Sequence, residues 1–200
     1  MNPGQSLERY LPFGYLFLVV MGIVKESVLF YQIGINILKY SSIADILMSP
    51  IASLTSHPLI FIVVMTTMLL GYYFPKMVEN KVHKPWVQKT MELKDVASMS
   101  KEEITKQMSK KAIQMTSVMV ICVFLGMGFG EGLSNSRRIK KGEMKTEHTL
   151  VFNSGEEQEV ALLNSNSQYY FYVPKDSKIV HIAPINSIKV LELTENRMLD

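Results

Sequence analysis

Apolar residues along the chain gather in three blocks, and the stretches between them follow different patterns. The first block runs from about Leu11 to Ile33 (LPFGYLFLVVMGIVKESVLFYQI), the second from Pro58 to Phe74 (PLIFIVVMTTMLLGYYF), the third from Ala112 to Leu133 (AIQMTSVMVICVFLGMGFGEGL). Crossing roughly 30 Å of hydrocarbon at 1.5 Å per residue takes about 20 residues, with about 17 as the lower end. The blocks are apolar all round, and a chain of 200 residues is too short to surround three such helices with polar structure. The pattern predicts a membrane α-helical fold with three transmembrane helices, spans 11–33, 58–74 and 112–133, and the lipid bilayer as their surroundings.

Between the first two blocks, Ile43, Ile46, Leu47, Ile51 and Leu54 fall near helical spacing within segment 42–54, with Pro50 expected to break or bend it. The simpler reading is an amphipathic helix lying on the membrane surface. The sharper one is a re-entrant half-helix, whose irregular backbone would need cover from protein. Segment 75–111 is rich in lysine and should be partly helical. Its Ser100 and Glu103 have the spacing of a capping box, from which a helix can run directly into the third span.

After about His148 the period changes. TLVF, EVALLN, YYFYV, IVHIA and SIKVLEL are five short apolar or alternating runs, separated by turn formers at Asn153-Ser-Gly155, Asn164-Ser-Asn166 and Lys175-Asp176-Ser177. They predict a small C-terminal all-β domain, an antiparallel meander or SH3-like barrel, with a one-turn connector over 184–187. The expected division is a transmembrane domain at 1–134 and a soluble β domain at 146–195.

Charge adds orientation. Nine lysines in 75–111 and Arg9 face six basic residues on the other side: Lys39, Arg137, Arg138, Lys140, Lys141 and Lys145. The excess places the loop in the cytoplasm and the β domain outside it. Glu8 and Arg9 are the only early charges and no small-x-small cleavage site follows, so the first block is expected to be an uncleaved span. The plan resembles that of small bacterial membrane proteins with a terminal β module, which implies a cell inner membrane. A net charge of +3 is too small and too dispersed to suggest a nucleic-acid partner.

Candidate chemistry is sparse. Lys25 and Glu26 are ionisable residues inside the first span, where such groups cost about 2.5–3.5 kcal/mol at mid-bilayer and usually have a partner or a water path. Adjacent positions point about 100° apart, so the two are not expected to face each other. In the third span Cys122, Gly126 and Gly130 recur every four residues, a ridge suited to close helix packing or self-association. Glu131 should be solvated at the interface. Along strand YYFYV, Phe171 and Tyr169 should point inward and Tyr170 and Tyr172 outward, as a possible partner surface. Four scattered histidines give no metal ligand set, and no phosphate loop or nucleophile elbow occurs, so neither cofactor nor enzyme activity is expected. The leading expectation is an oligomeric sensor, adaptor or scaffold that meets its own copies or a partner membrane protein. A small ion channel using Lys25 and Glu26, and an accessory subunit of a larger complex, are the alternatives.

Overall fold

The structure, a computed structural model, describes residues 3–56, 58–93 and 96–194, with side-chain surroundings from Pro12 onward. Glu8, Arg9, Leu11, His57, Lys94 and the last expected position of the β domain, 195, fall outside what it describes at that level. Five α-helices occur among the described residues: α1 (Pro3–Tyr31), α2 (Ile43–Ser56), α3 (Pro58–Val78), α4 (Pro85–Met91) and α5 (Lys101–Lys141). Three helical stretches, Pro12–Tyr31, Pro58–Lys81 and Lys101–Lys141, are long and apolar enough to cross a membrane. The described chain forms two compact units, one of Ile51–Phe124 and the other of the residues up to Pro50 together with those from Leu125 onward. The second unit joins span ends to the β domain, so the compact bodies divide elsewhere than at residue 134.

In the Ile51–Phe124 unit, α3 leaves most of its apolar side chains uncovered, among them Leu59, Ile62, Leu70 and Tyr72. Only 6% of its apolar window is buried, a surface unsuited to water. The lysine-rich segment folds around its own core of Val78, Val82, Val87, Met91, Leu93, Val96 and Met108. Pro85 starts α4, where its missing N–H costs nothing. Ser100 caps α5: its amide and hydroxyl donate to the Glu103 carboxylate at 2.8 and 2.9 Å, and the Glu103 amide returns a bond to the Ser100 hydroxyl. From that box α5 runs 41 residues without a break, about 60 Å and twice the hydrocarbon thickness.

In the other unit, α1 and the end of α5 lie backbone against backbone. A Cβ on Gly128 would stand 2.6 Å from the Lys25 carbonyl oxygen, and one on Gly132 would stand 2.8 Å from that of Leu29. Four residues on one helix match four on the other in the same sense, so the two run parallel. Both end the same way. Gly34 (φ 80°) and Gly142 (φ 72°) take the left-handed conformation, and the next amide in each case closes back onto the last turn. Pro50 does not break α2. The helix continues through it, and the buried proline ring meets Gly22 of α1.

The five strands, β1 (His148–Phe152), β2 (Glu157–Ser165), β3 (Tyr169–Pro174), β4 (His181–Pro184) and β5 (Ile188–Leu193), form one antiparallel sheet in the order β4-β3-β2-β1-β5. A one-turn helix, Ile185–Ser187, leads into β5 at the predicted connector. One face of the sheet closes on Leu150, Val160, Tyr172 and Ala183. The other lies on the helix ends, where Phe171 joins Leu29, Phe30 and Ile37, and Ala161 and Val173 join Ile139. A bulge in β2 between Leu162 and Asn164 sets two consecutive residues, Leu163 and Asn164, opposite Phe171.

Candidate functional site

The bulge decides what reaches α1. Leu163 packs with the helix-side clusters, and the next side chain, Asn164, donates from Nδ2 to Oε2 of Glu26 at 3.1 Å. Lys25 and Glu26 do meet: Lys25 Nζ lies 3.6 Å from Glu26 Oε1 and 3.5 Å from Glu131 Oε2. The divergence expected of adjacent positions holds at the backbone, but long side chains turn toward the common space between α1 and α5. Glu131, expected to be solvated, is a partner of Lys25 as well, its side chain about a third exposed. With its side chain only 5% exposed, Lys25 is enclosed by two carboxylates and by the close approach of Gly128. Buried charges need such pairing, since removing them from water costs several kcal/mol per ion.

A second polar contact lies beyond it. Asp45, in the first turn of α2, accepts from the Ser42 amide and hydroxyl at 2.8 and 2.7 Å. It also accepts from the amide and hydroxyl of Ser167, in the β2–β3 turn, at 3.0 and 2.9 Å. Asn166 of the same turn donates to the Tyr40 carbonyl, and the Tyr40 ring stands edge-on to Tyr169 and Phe171. Desolvation pushes the Asp45 carboxyl up, but the Ser42 and Ser167 hydrogen bonds outweigh it and hold the group below its ordinary 3.8. A depressed folded-state value means the contribution is complete above the unfolded pKa and fades as pH falls through the lower folded one. Asp45→Asn should therefore speed hydrogen exchange at the Ser167 amide at neutral pH, and the difference from the parent should shrink below pH 3.8. Equal exchange at neutral pH would remove Asp45 as the tether.

Two sequence-based assignments need correction. Tyr172 is 3% exposed and fills the sheet interior, with Tyr170 packed against the same cluster. Burial pushes the Tyr172 hydroxyl up, with Glu156 adding to it. Tyr170 and Tyr172 thus form no outward partner surface, because the opposite face of β3 is the one that lies on the helices. In α5 the glycines that meet α1 are Gly128 and Gly132, whereas Gly126 and Gly130 have nothing within contact distance and Cys122 is exposed. The packed ridge is offset by two residues, and the Cys122, Gly126, Gly130 face is left uncovered by the described residues.

Asn164, Asp45 and Ser167 were missed by sequence reasoning. The one available signal was the concentration of Asn and Ser at 164–167, which also reads as an ordinary turn. Among the described residues no group of three or more His, Cys, Asp or Glu side chains gathers as a metal would require.

These features define a class: apolar helices of membrane-spanning length with a five-stranded antiparallel sheet seated directly on two of their ends. Comparison with protein families, characterised proteins and solved structures returned no match.

Proposed function

We propose that this is a non-enzymatic, multi-pass membrane protein acting as an oligomeric adaptor or sensor, whose β head receives a partner and passes the event to the spans. The observation that carries this reading is the absence of slack between head and helices in one compact unit. Phe30 and Phe171 rings stand 5.1 Å apart, and Asn164 reaches Glu26 inside the first apolar block. A tethered head would need no such contacts. The strand order and the one-turn helix before β5 support an SH3-like barrel. The lysine excess in 75–111 supports a cytoplasmic loop and an outward head.

The uncovered α5 face supports self-association, since small residues allow a second helix to approach closely. Cys122 is the chain's one cysteine and lies on that face. Mild oxidation of native membranes should therefore give a disulfide-linked dimer, and Gly126→Ile with Gly130→Ile should remove it. A monomer under all oxidation conditions would sink the oligomeric reading.

A second reading, a small ion-conducting oligomer, draws support from α2. Pro50 meets Gly22, which lies nine residues before Tyr31, about 14 Å of helix below the end of α1. That depth favours a re-entrant half-helix over a surface one. Ion flux in vesicles that changes with Glu26→Gln would establish the channel. The enclosure of Lys25 favours the adaptor.

A further inference from the structure

We propose that the cleft formed where α1 and α5 end beneath the β3–β4 loop binds the headgroup of an anionic phospholipid. The cleft holds about 390 Å³ and has two kinds of wall. Its floor is apolar, with Ile33 and Ile35 after α1, Ile139 on α5 and Ile182 on β4. Its mouth carries Lys140 and Lys178, both exposed, with Ser136 between the two kinds of surface. None of the described lining residues is acidic.

The backbone brings the lysines together. α5 stops at Gly142, and the Lys178 stem rests over that stop, its Cε 3.7 Å from where a Cβ on Gly142 would lie. The next residue, Ile179, is 66% exposed, so the loop presents a cation and a large apolar side chain side by side. At this end α5 turns basic, with Arg137, Arg138, Lys140 and Lys141 in its last turns, the composition of a helix leaving hydrocarbon for the headgroup layer. A phosphodiester between two ammonium groups, with its glycerol and upper acyl carbons over the isoleucine floor, matches both walls. A soluble anion would leave the floor uncovered, and a neutral apolar ligand would leave the lysines unused.

The inference rests on the membrane reading of α1 and α5. The test uses the full chain, purified in mild detergent and offered phosphatidylglycerol or phosphatidylcholine, with retained lipid read by native mass spectrometry. Retention of phosphatidylglycerol should exceed that of phosphatidylcholine by about tenfold or more, the order expected for two lysines at a negative surface. Lys140→Gln with Lys178→Gln should abolish the preference. Lys175→Gln with Lys189→Gln, outside the cleft, should keep it, and the arginine versions of the first pair should restore it. Equal retention of the two lipids by the parent chain, or an unchanged preference in the cleft variant, would overturn the site. Thermal stabilisation by inorganic phosphate equal to that by phosphatidylglycerol would overturn the lipid assignment. A chain that stays monodisperse without detergent would instead overturn the membrane reading.

Discussion

Lys25→Met should destabilise the protein by about 1–3 kcal/mol, the cost of leaving two partly exposed carboxylates without their partner. The substitution keeps the length and apolar stem of the side chain, so packing changes little. It leaves Glu26 and Glu131 facing the space that Lys25 Nζ occupies, 3.6 and 3.5 Å from their carboxylates. Neutralising those carboxylates as well, by Glu26→Gln with Glu131→Gln, should recover most of the loss, since a wholly uncharged replacement of a buried ion cluster is often neutral or better. The measurement is reversible unfolding of the full chain in mixed micelles, followed by circular dichroism. A single Lys25→Met change within the error of the parent would show that the ammonium reaches solvent, and the cluster would no longer hold the head.

The second large effect belongs to a glycine. Gly128→Leu should cost about 3 kcal/mol, the upper end for forcing extra volume into a packed contact. Even the first added carbon would stand 2.6 Å from a backbone oxygen, which cannot rotate away as a side chain can. Gly126→Leu, two positions earlier on the same helix, meets nothing among the described residues and should leave monomer stability within about 0.5 kcal/mol. The pair separates packing inside the chain from packing between copies: Gly128→Leu fails in dilute micelles, and Gly126→Leu shows only where copies meet. Similar losses at both positions would mean that Gly126 is packed as tightly as Gly128, since leucine is the better helix former and propensity alone would favour both changes.

The three long apolar helices and the five strands were legible because length and period identify them directly. TLVF and SIKVLEL begin and end within a residue or two of β1 and β5. The Ser100–Glu103 box was legible for the same reason, being local. The side chains around Lys25 were not, because each depends on a meeting of distant segments. Glu131 looked solvated until α5 was placed on α1, and no pattern in β2 announces its extra residue. Tyr170 and Tyr172 were assigned outward by applying simple alternation to a run without a polar member, whereas Phe171 and Tyr169 do point inward, toward the helix ends. An uninterrupted YYFYV is the mark of a strand covered on both faces, and here the second cover is the helix ends.

The irregularity in β2 has a consequence for how the chain tolerates length changes. Regular pleating sends neighbouring side chains to opposite faces, and it is the bulge that lets both Leu163 and Asn164 face the helices. Removing Leu163 would leave Asn164 opposite Phe171, on the face toward the helices, so the ladder could re-form with the carboxamide in place and one apolar side chain lost from the junction. The extra residue thus adds apolar cover to the junction between head and helices without displacing the donor to Glu26. A homologous chain lacking that residue would keep its donor to the carboxylate and would need another apolar side chain where Leu163 now packs.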